Sequence, residues 1–221
     1  GEIYDADIRF SSEMLRFARQ DVSLTKGPLS AGFDDNADLQ RARDFRPSWS
    51  LPRGFLCDYA TQAVRDAEFS LDVLAARGIE PDSPEAEKFV FEFLKEIATH
   101  EVGHTLGLRH NFKASSIRTF KDAQNRELTA REGLVGSIME YIASNIANKG
   151  ETQGEYHMST VGPWDKWVIE WGYKPGLDQA ALDKIASRAA EPQLAYNTDE
   201  DAGISGLPFD MDPLTARFDF G

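Results

Sequence analysis

Three histidines and a glycine stand at spacings that suit a metal site. The run from His100 to His110 reads HEVGHTLGLRH. Histidines four residues apart on a helix project from one face and can place two imidazole nitrogens about 2.0–2.1 Å from one metal ion. Gly107 permits the positive φ that ends a helix and turns the chain, so that His110 can return as a third ligand. The pattern predicts a metal ion held by His100, His104 and His110.

The same run contains a carboxylate suited to acid–base work. Three neutral nitrogen ligands leave one coordination position open for water, which is typical of catalytic rather than structural zinc. Glu101 follows the first histidine but points off the ligand stripe, where it can accept a proton from that water and later deliver it to a leaving amine. We therefore expect Zn2+ as the cofactor, although other transition metals also accept nitrogen ligands. A set of core histidines without a metal is the alternative.

The helix that positions this motif has clear end signals. Ser83 is a suitable N-cap, Pro84 fits the first helical position, and Gly107 can end the helix. The sequence therefore predicts a helix over about 84–106.

Apolar residues occupy two sides of this predicted helix. One stripe, at 100° per residue, contains Phe93, Ile97, His100 and His104. The opposite side carries Phe91, Ala98, Val102 and Leu106. A helix that is apolar on two sides is expected to be buried on both, with its histidines facing an interior cleft.

The remaining elements are expected from hydrophobic periodicity and from the positions of glycine and proline. The alternation of apolar residues over 1–10 predicts a strand, and a short helix is expected after Ser11 or Ser12. Further helices are predicted over about 58–77, 163–171 and 178–190. We expect a loop over about 111–136 and an extended acidic tail over about 192–221.

Composition limits the classes of function. The 221 residues suffice for one well-packed domain, and no stretch approaches the length of a membrane-spanning helix. A formal net charge of −13 argues against a nucleic-acid partner. Cys57 is the only cysteine, so no disulfide can form within the chain. The chain opens at Gly1 without a visible signal segment, so we expect it to be part of a longer protein.

A second motif carries a resemblance to a known clan. The run SIMEY at 137–141 resembles the Met-turn of the metzincin zinc peptidases, which follows the third histidine. The resemblance implies that Met139 forms a hydrophobic floor beneath the metal. It also implies that Tyr141 ligates the metal or stabilises the tetrahedral intermediate. A phenol packed on the Met-turn and bonded only to backbone is the alternative for Tyr141.

Several shorter runs resemble the large bacterial zinc-dependent metallopeptidases with a Met-zincin domain. They lie at 1–8, 107–116, 162–165 and 198–201. This resemblance implies a helix-rich, zincin-like α+β fold, with the cleft between the 84–106 helix and the Met-turn. It implies one catalytic domain over 1–221, with an upper subdomain over about 1–107, a lower one over about 108–191 and a tail over 192–221. Export to the periplasm, cell envelope or medium is expected, as are upstream domains.

The function expected from motif and resemblance is zinc-dependent hydrolysis of peptide bonds in a peptide or protein substrate. Two alternatives remain open. One is a metal-bearing but non-hydrolytic scaffold module of a larger envelope protein, and the other is a zincin hydrolase of non-protein amides.

Other residues have less specific interpretations. His157 is either a substrate contact or an ordinary histidine, and Cys57 is either a buried thiol or a latency switch. Tryptophans at helical spacing predict a packing face: Trp164, Trp167 and Trp171. Acidic residues in the tail are candidates for calcium binding, without EF-hand spacing: Asp199, Glu200, Asp201, Asp210 and Asp212.

Overall fold

The structure is a computed structural model that describes residues 6, 8, 59–202 and 214–215. The expected strand over 1–10 therefore lies almost entirely outside the described residues. The helix expected after Ser11 or Ser12 also lies outside them. The same is true of three single residues: Cys57, Asp210 and Asp212.

Helices dominate the described part of the chain. The α-helices are α1 (Tyr59–Ala76), α2 (Pro84–Thr105), α3 (Phe120–Ala123), α4 (Arg126–Glu132), α5 (Pro163–Tyr173) and α6 (Gln179–Ala186). Short 3-10 helices cover Ala114–Ile117, Ser187–Ala190 and Pro192–Leu194. Within the described ranges Ile142 alone lies in a β-bridge. The helix-rich part of the expected α+β class is thus confirmed, whereas the described residues contain no sheet that would supply its β part.

Helix α2 forms where the end signals predicted it. The Ser83 hydroxyl oxygen accepts a hydrogen bond from the Ala86 amide at 3.2 Å, which satisfies one free N–H of the first turn. At the other end Gly107 has a φ of 83°, and the Leu108 amide donates to the Gly103 carbonyl at 3.0 Å. This positive φ lets the chain turn back beneath the helix.

The expectation that α2 is buried on both sides is wrong. Phe91 is 65% exposed and Val102 is 43% exposed, whereas Phe93 and Ile97 on the histidine side are buried. Apolar periodicity identifies a face but does not show whether another element covers it. The histidine face is the one packed against the core.

The other predicted helices are present in the structure, whereas the predicted loop is not a loop. Helix α1, α5 and the pair α6 with Ser187–Ala190 match the expected segments to within about two residues. The loop expected over 111–136 is wrong, because that stretch contains α3, α4 and a 3-10 turn. Thr119 and Asn125 cap these helices by accepting the amides of Asp122 and Leu128. Capped segments of four to seven residues are too short for a periodicity to show.

Two apolar clusters adjoin the histidine motif. The first joins α1 to α2 and includes Tyr59, Phe89, Phe93, Ile97 and Tyr141. The second joins the segment around 134–142 to α5 and includes Leu108, Ile138, Met139, Trp164 and Leu194. The expected tryptophan face is buried only at its start: Trp164 is buried, Trp167 is half-buried and Trp171 is 51% exposed.

Two buried glutamates fasten an extended segment to α2. Glu92 accepts the Tyr156 amide at 2.7 Å, and Glu96 accepts the Met158 amide at 2.5 Å. The match is geometric, since four residues of helix rise about 6.0 Å and two residues of extended chain span about 6.6 Å. His157 lies between the two anchored residues and is only 2% exposed. Its interpretation as a substrate contact is therefore wrong.

No helix among the described residues is long and apolar enough to cross a membrane.

Candidate metal centre

The three motif histidines are each held through the same ring nitrogen. Nδ1 of His100 lies 2.8 Å from the Ile138 carbonyl, and Nδ1 of His104 lies 3.0 Å from the Leu108 carbonyl. Nδ1 of His110 lies 3.0 and 3.1 Å from the two carboxylate oxygens of Asp199. Because all these partners are acceptors, each Nδ1 carries a proton, and in the neutral ring the lone pair is then on Nε2. This is the tautomer that binds a metal through Nε2.

These histidines converge on one point. Among the described residues they form a group in which one ring nitrogen of each histidine lies within 4.8 Å of the other two. Two nitrogens that bind one tetrahedral zinc ion at about 2.0–2.1 Å lie about 3.4 Å apart, so the three rings stand near the spacing that a shared ion requires. Nε2 of His104 is buried without a hydrogen-bond partner in the described part of the chain. A buried ring nitrogen costs free energy unless it is satisfied, and a cation at this point satisfies it.

Burial keeps the first histidine neutral. The pKa of His100 is lowered to about 3, mainly because burial penalises the charged ring and further because His104 and His110 lie close by. The hydrogen bond to the Ile138 carbonyl acts in the opposite direction. A neutral imidazole is the form that a metal ion requires, so His100 is ready to bind at any physiological pH.

Gly103, between the two helical histidines, makes room for the methionine of the predicted Met-turn. A Cβ at Gly103 would overlap the sulfur of Met139, which is fully buried. The methionine therefore packs against α2 at the level of the two histidines, in keeping with the hydrophobic floor implied by the resemblance. Only glycine permits this approach.

Helix α5 fixes the Met-turn from the other side. The Asp165 carboxylate accepts hydrogen bonds from the Ser137 hydroxyl at 2.6 Å and the Ile138 amide at 2.8 Å. It also accepts the Gly162 amide at 2.7 Å. Burial raises the pKa of Asp165, and these three hydrogen bonds oppose that rise. The backbone of Ile138 thus connects Asp165, through its N–H, to His100, through its carbonyl.

The Tyr141 hydroxyl lies at the histidine cluster. It is 3.0 Å from Nε2 of His110, and the whole side chain is buried. Its ring stacks on Tyr59 with centroids 4.7 Å apart, which fixes its direction. The alternative of a phenol bonded only to backbone is wrong, because the hydroxyl contacts one of the candidate ligands.

Glu101 lies beside the cluster on α2. The residue is half-buried, and no described residue donates a hydrogen bond to its carboxylate. Its lone pairs are therefore available to a proton, as the predicted role requires. That role remains a prediction.

The described acidic residues of the tail have partners within the chain. Asp199 contacts His110, Glu200 forms an ion pair with Arg109 at 2.6 Å, and Asp201 accepts the Thr198 amide at 2.9 Å. Each described carboxylate of the expected calcium cluster is thus already paired.

Sequence reasoning missed the residues that position the ligands. Asp165 and Asp199 lie in runs that resemble the Met-zincin peptidases, but a resemblance does not show which atoms they contact. No local pattern points to either contact, and Gly103 marks only the close approach of Met139 to α2.

Fold and site together define a zincin-type centre: a long helix with two histidines, a glycine turn to a third, and a methionine turn beneath them. A family model described as Met-zincin matches residues 82–221, and the chain belongs to this family. No curated protein and no solved structure matches the chain.

Proposed function

We propose that this chain is a zinc-dependent endopeptidase. The observation that carries the proposal is the convergence of His100, His104 and His110, each with one ring nitrogen within 4.8 Å of the others and with Nδ1 next to an acceptor. The donor set of three imidazoles suits zinc and leaves a coordination position for chemistry. Membership of the Met-zincin family supports the same function.

The chain's own residues supply the remaining steps. Zinc, when bound, provides Lewis-acid activation of a water molecule and of the scissile carbonyl. Glu101 accepts the proton of the attacking water and passes it to the leaving amine, so one carboxylate serves as base and acid. The Tyr141 hydroxyl donates a hydrogen bond to the developing oxyanion. Both groups lie next to the histidine cluster, on α2 and on the Met-turn.

A substitution of Glu101 tests the hydrolytic step. We expect Glu101→Gln to bind zinc as tightly as the wild type but to lose about 10²- to 10⁴-fold in kcat/KM on denatured casein and a peptide library. Glu87→Gln, an exposed change in the first turn of the same helix, is the matched control and keeps full activity. Zinc-loaded wild type that cleaves no peptide refutes the endopeptidase proposal. That result leaves the scaffold module or the hydrolase of non-protein amides.

Tyr141→Phe tests the oxyanion role separately. The phenylalanine ring retains the stacking on Tyr59 and removes only the hydroxyl. We expect zinc affinity to stay within about twofold while kcat falls about 10²-fold, since one oxyanion donor is lost. Equal kcat in both proteins would assign the hydroxyl to packing alone.

We also propose, from the family resemblance, that the protein acts outside the cytoplasm. Fractionation of the native host followed by immunodetection tests this.

A further inference from the structure

A C-terminal segment lies directly along the third histidine. Residues 195–200, here called the clasp, bond to four consecutive residues, 109–112. The Phe112 amide donates to the Asn197 carbonyl at 2.8 Å, and the Asn111 side chain donates to the Ala195 carbonyl at 3.0 Å. At the other end Glu200 pairs with Arg109 at 2.6 Å. The clasp thus binds the segment that carries His110 along its whole length.

Within the clasp, Asp199 makes the contact that matters for the metal. Both its carboxylate oxygens lie within 3.1 Å of Nδ1 of His110. The other two histidines are held by carbonyls of Ile138 and Leu108, close to the motif helix or the Met-turn. His110 is held by a charged group, and that group comes from 89 residues further along the chain. A carboxylate both orients an imidazole and increases its basicity toward a metal.

The turn after α2 makes this support necessary. His110 follows the end of the helix, so helical hydrogen bonds do not fix its ring. The backbone N–H of the neighbouring Asn111 donates to the Met139 carbonyl at 3.0 Å, which joins the segment to the Met-turn. The clasp supplies the opposite side. Tyr196 is anchored in turn, because its ring stacks on Trp164 at a centroid distance of 5.1 Å.

We propose that the clasp completes the metal centre, with Asp199 as the positioning residue of His110, so that docking of the clasp and binding of the metal are coupled. This inference rests on the zinc site of the proposed function. Coupling is reciprocal: the factor by which the docked clasp raises metal affinity is the factor by which the metal favours docking. Loss of the carboxylate partner of a ligand histidine typically lowers metal affinity about 10- to 100-fold. The metal is expected to stabilise the docked clasp by the same factor.

The first test measures Zn2+ affinity of the full chain by competition with a chromophoric chelator. We expect Asp199→Ala to weaken binding about 10- to 100-fold and Asp199→Asn to weaken it less, because the amide oxygen still accepts from Nδ1. Glu191→Gln is the matched control: it removes one negative charge and weakens the ion pair with Arg188, and it lies outside the clasp. Its zinc affinity is expected to stay within about twofold of wild type.

The second test measures the protection of backbone amides. Amide hydrogen exchange of wild type is compared with and without Zn2+, and the amide of Phe112 and those of 195–202 are expected to gain protection on zinc binding. Asp199→Ala is expected to lose most of this gain. Circular dichroism establishes that each variant is folded.

The outcomes separate the two ideas. Wild type that binds no zinc overturns the metal centre and the clasp with it. Tight wild-type binding with equal affinity in Asp199→Ala overturns the clasp and leaves the proposed function standing. Unchanged exchange of 195–202 on zinc binding also overturns the coupling. Weak binding confined to Asp199 variants, with zinc-dependent protection in wild type, supports it.

Discussion

Adding one methyl group at Gly103 tests the packing beneath the histidines. A Cβ at this position overlaps the Met139 sulfur, so the methionine or the helix must shift. Overpacking of this kind costs about 1–3 kcal/mol, and the better helix propensity of alanine returns about 1 kcal/mol. We expect Gly103→Ala to lower the free energy of unfolding by about 0–2 kcal/mol. Gly172→Ala is the control, because a Cβ there meets no atom within 4 Å, and it gains up to about 1 kcal/mol.

A double-mutant cycle assigns the cost to this one contact. Met139→Ala alone is expected to cost about 2–5 kcal/mol. In the double variant the new Cβ enters the space left by the sulfur, so the combined loss is smaller than the sum by about 1 kcal/mol or more. Urea unfolding of metal-free protein, with chelator present, measures all four free energies. Strict additivity, together with a stabilising Gly103→Ala, would refute the proposed contact.

Three further predictions concern the same centre. The pKa of His100 is about 3 in the fold and about 6.5 unfolded, so the unfolded chain binds more protons below pH 6.5 and stability falls as the pH drops. Between pH 7 and 5 the metal-free protein is expected to lose about 2 kcal/mol of unfolding free energy because of His100. Urea unfolding at several pH values measures this loss. If the unfolding free energy of His100→Ala falls with pH as steeply as that of wild type, the prediction is contradicted. Asp165→Asn keeps one oxygen for the Ile138 and Gly162 amides but replaces the acceptor of the Ser137 hydroxyl by an NH2 group, and is expected to cost about 1–3 kcal/mol. Glu170→Gln, which weakens the ion pair with Lys174, is expected to have little effect. Equal thermal shifts in the two variants would count against the anchoring role. Zinc is expected to raise the melting temperature of wild type more than that of Asp165→Asn, because Asp165 fixes the Ile138 backbone that holds His100. Equal zinc-induced shifts in the two proteins would contradict this.

Sequence predicted the motif-bearing part of this fold because its signals are local. The N-cap at Ser83 and the glycine at 107 mark both ends of α2 within one or two residues. The spacing of the three histidines likewise follows from helix geometry and a single turn. Such features need no knowledge of the rest of the chain.

The partners of those histidines could not be predicted in the same way. Asp199 reaches His110 from 89 residues away, and no periodicity or spacing rule connects the two. The exposure of Phe91 was also missed, because an apolar side chain does not reveal which face of a helix is covered. Both errors concern tertiary contacts rather than local structure.

The pairing of Glu92 and Glu96 with alternate amides restricts which changes of length the protein tolerates. An inserted residue between 156 and 158 would shift one amide out of reach and turn a neighbouring side chain towards the opposite face. The His157 ring packs against Phe89 and Phe93. After an insertion, a different side chain would occupy this position and His157 would point towards solvent. Substitutions in this stretch are therefore expected to be far better tolerated than insertions or deletions. Library selections that include both kinds of change would show the difference directly.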